Sequence, residues 1–347
     1  MEHYVGLDVS QQFTHICVVD AQARVVWQGK CRSTPEAIAE AVCSKAPQAT
    51  RIGLETGPLS TWHTHALKDQ GLPVVCIDAR NAQAALSMQI NKTDKNDARC
   101  LAELMRLGWY RKVEVKTLDS HTVRAMLGVR YQLIGMRTNI INQMRGILKT
   151  YGIVLKPVFG KAQEEVIAGK AADDNTMLAD TLSALLAVYR GLNSQIAVLD
   201  RQFARYARTN PVCRLLMTIP GVGPLTSAAF VSVIDDPAKF SRSSSVGAYL
   251  GLTPRRYQSG EVDRIGRISK CGDPLARAYL FEAATALLTR VHRWSALKAW
   301  GLRVAKRSGM KKAKVAVARR LAVIMHRMWL SGERFRWSAD NEAETAA

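Results

Sequence analysis

Two aspartates stand three residues apart in the stretch NKTDKNDARCLAEL, residues 91–104, which has the pattern of an amphipathic helix at its start. Asp94 and Asp97 fall on one face of that helix, among lysines. Two like charges three residues apart on a helix destabilise it unless a cation or a proton lies between them. The spacing therefore indicates that something other than helix stability requires these two carboxylates.

Two further acids occupy unusual places in predicted strands. Asp8 lies in the middle of the first strand, between apolar residues, where an unpaired buried charge is costly, and Glu55 ends the strand RIGLE. The edge of a sheet and the nearest helix can bring these two acids together with Asp94 and Asp97. Four carboxylates around one point require divalent cations, and oxygen ligands suit magnesium. Two such ions about 4 Å apart polarise a phosphodiester and stabilise its attacking and leaving oxygens.

Each acid taken singly has an ordinary explanation. Asp8 can be a hydrogen-bonded polar residue of the core, and Glu55 a surface charge. Asp94 can cap a helix, with Asp97 one turn further on. For an isolated acid the ordinary explanation is favoured, whereas the combination of four favours a metal site.

The first hundred residues alternate between predicted strands and helices. Three β-rich runs, the first of them HYVGLDVS, form a meander, and the polar residues after this run suit a hairpin turn. A helix follows with Thr34 as its N-cap and Pro35 at its first position, and two strand and helix units come next. A meander followed by such units predicts an α/β domain with a mixed sheet over residues 1–115.

The pattern then becomes helical. Residues 116–208 are predicted to form a long helical hairpin, because apolar residues recur at spacings of three and four in its two arms. Such a hairpin cannot bury both faces alone, so we expect it to pack on a second copy as a coiled coil, with an intramolecular bundle as the alternative. Residues 209–335 are predicted to form a mostly α-helical C-terminal domain, and residues 336–347 are predicted to form a disordered tail.

A glycine-rich turn opens the C-terminal domain. The sequence PVCRLLMTIPGVGPLTSAAFVSVI has the pattern of a helix, a glycine hairpin and a second helix. Gly221 and Gly223 let backbone amides approach a phosphate at the start of the second helix, where the dipole favours an anion. A purely structural turn explains the pattern nearly as well.

The charge distribution points to a polyanionic partner. The net charge is +20 and the pI about 9.9. Residues 1–100 carry 10 basic and 10 acidic side chains, residues 101–210 carry 16 and 9, and residues 211–347 carry 23 and 10. The surplus therefore belongs to the C-terminal two-thirds, which favours nucleic acid binding over the alternative of a generally basic surface.

Other features limit the class of protein. The N-terminus lacks the pattern of a signal peptide, and no run approaches the ~18 apolar residues of a membrane span, so we expect a cytoplasmic protein. Seven cysteines, an odd number without a CxxC pair, argue against a disulfide framework or a zinc knuckle. No GxxxxGK[ST] sequence occurs, and we expect no nucleotide cofactor.

The motifs together are similar to those of a known family. GLDVS, LETG and KTDKNDA, followed far downstream by PGVGPLTSAAF and GLTPRRYQSG...GRISKCGDPLAR, resemble the DEDD transposases of bacterial insertion sequences, the one-ten family. The resemblance covers almost the whole chain. It implies a RuvC-type, RNase H-like first domain in which Asp8, Glu55, Asp94 and Asp97 bind metal, and a nucleophilic serine that corresponds here to Ser259.

The resemblance also implies cofactors and partners. Members of this family include RNA-guided bridge recombinases and pilin-type DNA invertases. The family resemblance implies magnesium, which we expect as two ions, and a helical coiled-coil insertion used for assembly. It further implies tetramers whose active sites pair the two domains from different subunits, and a structured RNA from the non-coding flank of the element.

The surroundings of Ser259 agree with a role in phosphate chemistry. A serine hydroxyl is a poor nucleophile until its proton is removed or its oxygen is coordinated, and nearby cations or a metal can do this. Arginines also hold phosphate oxygens bidentately and stabilise charge that grows on phosphorus. An isolated Ser-Gly step is far more often a turn, and only the family resemblance favours catalysis. The residues predicted to contact nucleic acid are Arg255, Arg256, Arg264, Arg267, Lys270, Lys311, Lys312 and Lys314.

These inferences predict a DNA recombinase that excises and inserts an insertion sequence through a covalent serine ester. Base pairing with a guide RNA would select the sites. A site-specific invertase is the alternative within the same class. Two alternatives from other classes are a metal-dependent junction nuclease that uses water, and a non-catalytic nucleic-acid-binding scaffold. The nuclease would retain activity after Ser259→Ala, and the scaffold would tolerate loss of Asp8 or Glu55.

Overall fold

The computed structural model describes residues 2–86, 93–170 and 176–337. It divides the chain into two compact units, Met1–Lys116 and Thr117–Ala347. Residues 338–347, which make up most of the predicted tail, lie outside the described residues. The further division of the second unit into a helical hairpin and a C-terminal domain stays a prediction.

The first unit contains a five-stranded mixed sheet in the order β3-β2-β1-β4-β5. The strands are β1 His3–Val9, β2 Phe13–Asp20, β3 Val25–Arg32, β4 Ala49–Glu55 and β5 Val74–Ile77. Strands β1, β2 and β3 form an antiparallel meander, and β4 and β5 run parallel to β1. The predicted mixed α/β architecture is therefore confirmed.

Helices cover both faces of this sheet. They are α1 Pro35–Lys45, α2 Ser60–Asp69, α3 Ala79–Leu86 and α4 Asp94–Leu107. Thr34 caps α1 by accepting a hydrogen bond from the backbone N–H of Ala37, as the sequence predicts. Side chains of α1 pack against one face of β1, and those of α4 pack against the other face of the sheet. Both faces are buried, which explains why the central strands are rich in apolar residues.

The second unit is mostly helical, as predicted. Its helices are α5 Leu118–Thr150, α6 Lys161–Lys170, α7 Thr176–Thr209, α8 Pro211–Leu216, α9 Pro224–Ile234, α10 Ser244–Tyr249, α11 Pro274–Thr289, α12 Ala296–Ser308 and α13 Met310–Ser331. Apolar residues of α8 to α13 share one core that includes Phe230, Leu280 and Leu321. A short hairpin of β6 Pro254–Ser259 and β7 Val262–Ile268 interrupts the helices.

Helices α5 and α7 form the long hairpin expected from the sequence. Near its root, Leu127 and Phe203 pack against Ala229 of α9 and Tyr279 of α11. At the distal end Leu148 and its neighbours pack against α7, with α6 covering them. Between these clusters α5 exposes large apolar side chains, which are Val129, Tyr131 and Met136. The root thus has the packing of an intramolecular bundle, whereas the middle leaves apolar surface uncovered.

Within the described part of the chain, α7 is also the one helix long and apolar enough to cross a membrane by length and composition. Its Leu182 and Leu186 lie in one cluster with Met144 and Leu148 of α5. Core helices of helical bundles pass the same test of composition, because their packed faces are apolar.

Candidate active site

Two glycines allow α4 to approach the sheet closely. A Cβ added to Gly6 of β1 would lie 2.0 Å from the carbonyl oxygen of Ala98, which is far inside contact distance. A Cβ added to Gly53 of β4 would lie 2.6 Å from the side chain of Met105. Gly6 and Gly53 are paired in the register of the two parallel strands. The backbone of α4 therefore lies directly over Gly6, and the side chain of Met105 lies over Gly53.

The same two strands position Asp8 and Glu55. Successive side chains of a strand alternate between its faces, so residues two apart share a face. Asp8 is two residues beyond Gly6, and Glu55 is two residues beyond Gly53. Both acids therefore lie on the face covered by α4, on adjacent strands whose backbones are about 4.8 Å apart.

Helix α4 contributes the other two acids from its first turn. Thr93 is the N-cap, and its hydroxyl accepts a hydrogen bond from the N–H of Asn96 at 3.3 Å. Asp94 is therefore the first residue of the helix, so the alternative that Asp94 serves as the cap is wrong. The helix dipole favours acids in this turn, which lowers the cost of placing Asp94 and Asp97 together. Asp97 is nearly buried, with 8% of its surface exposed.

The structure brings Asp8 and Asp94 together around a histidine. His15 of β2 pairs with Asp8 in the antiparallel register, and its Nδ1 lies 3.4 Å from an Oδ2 of Asp94. One possible ligand atom from each of Asp8, His15 and Asp94 lies within 4.8 Å of the other two. Two carboxylates and an imidazole at these distances form a donor set that fits a divalent cation.

His15 was not among the residues that the sequence motifs predicted for this site. The sequence did contain an indication that His15 could lie near Asp8. The predicted hairpin between the first two strands places residues of FTHICVVD, which include His15, opposite Asp8. Single histidines in strands are common, however, and the turn must have a defined length before a partner can be assigned. Only the register of the folded hairpin shows which residue faces Asp8.

Ser259 belongs to the second unit, at the end of β6. It pairs with Val262 across the two-residue turn of Gly260 and Glu261. Gly260 has a φ of +55°, in the left-handed region that glycine adopts without strain, as the first turn position of many hairpins requires. The turn given above as the ordinary explanation of the Ser-Gly step is thus present, and it leaves Ser259 exposed at its edge.

The two faces of this hairpin carry different side chains. Residues directly opposite each other in an antiparallel pair point to the same face. Tyr257 pairs with Arg264 and shares the Ser259 face, together with Val262. The other face carries Arg256, Gln258, Asp263 and Ile265. Arg264 therefore lies on the side of the serine, and Arg256 lies on the opposite side.

Two arginines predicted to contact phosphate have protein partners. Arg256 forms a bidentate ion pair with Asp263, with N···O distances of 2.9 and 2.7 Å. This pair lowers the pKa of the Asp263 carboxyl and raises the pKa of the Arg256 guanidinium. Arg255 donates a hydrogen bond to the carbonyl oxygen of Ser269. Both arginines are exposed, so these contacts can be exchanged for others at modest cost.

In the glycine turn before α9, close packing against another helix requires one of the two glycines. Gly221 has a φ of +88°, and a Cβ there would lie 2.6 Å from the carbonyl oxygen of Ala283 in α11. Gly223, by contrast, has nothing within 4 Å of its Cβ position and precedes α9 directly. A cavity of about 370 Å³ lies beside this turn, with Arg130 and Arg290 in its lining.

A second basic region lies where α12 meets α13. Lys306 and Arg307 lie in the last turn of α12, and Lys311 and Lys312 lie in the first turn of α13. Gly309 precedes α13 and offers no side-chain cap. All four of these side chains are exposed, whereas Lys314 is half-buried beside the ring of Phe281. Cations in the first turn of a helix oppose its dipole, so Lys311 and Lys312 are not there to stabilise α13.

Comparison with known proteins gives family matches in each of the two units of the chain. The family model of the DEDD transposases related to IS110 matches residues 5–153, and the model described as "Transposase IS116/IS110/IS902 family" matches residues 213–299. These ranges contain all four acids and Ser259.

Individual relatives are similar over different shares of their length. The transposase for insertion sequence element IS1111A of Coxiella burnetii is 27% identical over 343 residues, covering 96% of this chain and 92% of the relative. A putative transposase, y4pF/y4sB, of Sinorhizobium fredii is 33% identical over 260 residues, covering 74% of this chain and 66% of the relative. The pilin gene-inverting protein of Moraxella lacunata is 29% identical over 143 residues, covering 40% of this chain and 44% of the relative.

The mixed-sheet domain with its cluster of acids, the helical second unit and these matches define a transposase, an enzyme that cleaves and rejoins DNA. The chain belongs to the IS110 family of insertion-sequence transposases, which has invertase-like relatives. The DEDD domain of this family implies the use of a divalent metal.

Proposed function

We propose that this transposase excises and inserts its insertion sequence through a covalent phosphoserine intermediate formed by Ser259. The observation that carries the proposal is the placement of Asp8 and Asp94, which offer ligand atoms within 4.8 Å of each other and of His15. Glu55 lies on the same face of the sheet as Asp8, the face that α4 covers. Two carboxylates this close repel each other unless a cation or a proton lies between them, so the pair is suited to hold a metal ion at the reacting phosphate.

The first unit has the features of an RNase H-like fold. A meander of three antiparallel strands continues into two parallel strands, with helices on both faces. Asp8 is on the central strand β1, Glu55 is at the end of β4, and Asp94 and Asp97 are on the helix packed across them. We propose that Mg²⁺ is the physiological ion, because hard oxygen ligands favour it. Magnesium would supply positive charge that polarises the phosphodiester.

The residues of the second unit would then carry the covalent step. Ser259 loses its hydroxyl proton, its Oγ forms a bond to phosphorus, and one P–O bond of the DNA strand breaks. The departing deoxyribose oxygen takes up a proton. Rejoining is the reverse step with a hydroxyl from another strand, so the energy of the phosphodiester is conserved and no nucleotide cofactor is required.

The side chains beside Ser259 fit this role. Arg264 and Tyr257 share its face of the exposed hairpin, and a guanidinium can bind two phosphate oxygens at once. An exposed tyrosine ring can stack on a base. We therefore propose that this face of the hairpin, rather than the face with Arg256 and Asp263, meets the scissile strand.

Partners beyond DNA rest on the family resemblance and on surface properties. The net charge of +20 and the exposed lysines at the start of α13 support a large nucleic acid ligand, and we propose a structured guide RNA that selects the sites. The apolar side chains exposed in the middle of the hairpin, among them Tyr131 and Met136, support assembly through α5 and α7 into a tetramer.

The test is a search for the covalent adduct. Wild type, Ser259→Ala and Asp94→Asn are incubated with Mg²⁺, end-labelled DNA that spans the element junction, and RNA transcribed from the flank of the element. A denaturing gel should show a protein-bound DNA band for the wild type alone. Free cut ends produced by Ser259→Ala as efficiently as by the wild type, with no adduct in any lane, would make water the nucleophile and the enzyme a junction nuclease.

A second candidate function is site-specific DNA inversion. The similarity to the Moraxella lacunata protein, over 143 residues, favours it. The chemistry at Ser259 would be unchanged, and only the arrangement of the two sites would differ. A substrate that carries two sites on one DNA molecule separates the functions, because inversion keeps the intervening segment and excision removes it.

A further inference from the structure

His15 lies inside the donor set of the acidic site. Its imidazole Nδ1 is 3.4 Å from a carboxylate oxygen of Asp94, and its backbone pairs with that of Asp8. The side chain is 20% exposed, so it faces the site from a partly enclosed position, whereas that of Asp94 is 67% exposed. The motifs GLDVS, LETG and KTDKNDA do not include this residue.

The distances favour coordination over a direct ion pair. Hydrogen bonds between a charged imidazole and a carboxylate are about 2.7–2.9 Å long, shorter than the 3.4 Å found here. Around an octahedral ion with bonds of about 2.1 Å, neighbouring ligand atoms lie about 3 Å apart and opposite ones about 4.2 Å apart. The spacing of the atoms from Asp8, His15 and Asp94, all within 4.8 Å, suits a small ion between them.

We propose that His15 is a nitrogen ligand of the ion held by Asp8 and Asp94. This inference rests on the proposed metal role of the acids, and it adds a nitrogen ligand to their oxygen ligands. Imidazole suits transition metals, whereas carboxylate oxygens suit Mg²⁺ and Mn²⁺ alike. A mixed nitrogen and oxygen site therefore binds Mn²⁺ more tightly than Mg²⁺, and His15 supplies part of this preference.

The direct test is the magnetic signature of bound Mn²⁺. Electron spin echo envelope modulation on the full-length protein, loaded with less than one Mn²⁺ per chain, detects nitrogen bound to the metal. We expect ¹⁴N modulation in the wild type, its loss in His15→Gln, and its retention in His292→Gln, which removes an exposed histidine of the second unit. His15→Asn is a second variant, and circular dichroism verifies that each variant is folded.

Binding isotherms give the second measurement. We expect His15→Gln to weaken Mn²⁺ binding at least about tenfold and to weaken Mg²⁺ binding less. The ratio of the Mg²⁺ to the Mn²⁺ dissociation constant should therefore decrease. Asp8→Asn locates the ion, since it should weaken the binding of both metals.

The outcomes separate the two proposals. Mn²⁺ binding that depends on Asp8 but shows no nitrogen modulation in the wild type, or equal modulation in His15→Gln, overturns the role of His15 and leaves the acidic metal site standing. Metal binding that is unchanged by Asp8→Asn overturns the proposed metal site itself, and the inference about His15 with it.

Discussion

Gly6 of β1 stands directly opposite Gly53 of β4, and helix α4 rests on this pair. Because these two residues have no side chains, α4 can lie close to the strands that carry Asp8 and Glu55. The acids in the first turn of α4 therefore lie near these strands. The glycine pair is therefore a condition for the site, although neither glycine has any chemistry of its own.

Replacing Gly6 should disrupt the first unit. The Cβ of Gly6→Ala would meet the backbone oxygen of Ala98 at 2.0 Å, and no rotamer change can relieve a clash with backbone. We expect the free energy of unfolding to fall by at least about 2 kcal/mol, measured by denaturant titration. Gly57→Ala is the matched control, because nothing lies within 4 Å of its Cβ. Equal effects of the two substitutions would show that α4 does not depend on close approach.

Removing a carboxylate should have opposite effects on stability with and without metal. In a chelator, Asp8→Asn relieves repulsion within the acidic cluster and should raise the thermal midpoint above that of the wild type. Mg²⁺ at millimolar concentration should raise the midpoint of the wild type by mass action, and that of the variant much less. The control is Asp69→Asn at the exposed end of α2, for which the metal effect should equal that of the wild type. A metal effect that survives in Asp8→Asn would place the ion elsewhere.

The two faces of the β6–β7 hairpin should differ in function. We expect Arg264→Ala to slow formation of the covalent adduct about 100-fold, because it removes charge that stabilises the transition state. Arg264→Lys should recover part of the rate. Arg256→Ala, on the opposite face and paired with Asp263, should change the rate less than about threefold. Single-turnover kinetics provide the measurement, and similar losses for Arg256→Ala and Arg264→Ala would contradict the assignment of the faces.

Bound DNA should protect one cysteine and leave another reactive. Cys271 is exposed next to Lys270, whereas Cys43 is exposed on α1 of the first unit. Burial raises the pKa of the Cys17 and Cys213 thiols to about 11, so these remain protonated and unreactive near neutral pH. We expect alkylation followed by mass spectrometry to show slower labelling of Cys271 in the presence of DNA and unchanged labelling of Cys43. Equal protection at both sites, or none at Cys271, would contradict contact at the base of the hairpin.

The lysines that begin α13 should affect the salt dependence of binding. Each phosphate contact contributes about 0.9 to the slope of log affinity against log salt concentration. Lys311→Ala and Lys312→Ala should each lower the slope by about 1 without changing sequence preference. Lys161→Ala, at the exposed start of α6, is the control and should leave the slope unchanged. An unchanged slope in both variants would exclude phosphate contact at this helix start.

Local sequence patterns were sufficient for most of the fold. Runs rich in strand-forming residues predicted the strands of the meander. Recurrence of apolar residues at three and four predicted the long helices α5 and α7, because this pattern records which face is buried. Thr34 and Pro35 likewise predicted the start of α1, since capping involves only neighbouring residues. The strands β6 and β7 were missed because almost every residue in them is exposed, which removes the alternation.

The sequence by itself therefore determined most of the elements, the acids available for metal binding and, through shared motifs, the family. Only the tertiary structure decided which residues face one another. The register of β1 with β2 placed His15 opposite Asp8, and the register of β6 with β7 placed Arg264 on the side of Ser259 and Arg256 on the other. Register depends on pairing between distant segments, and a shift of one residue moves every side chain to the opposite face, so no local pattern can specify it.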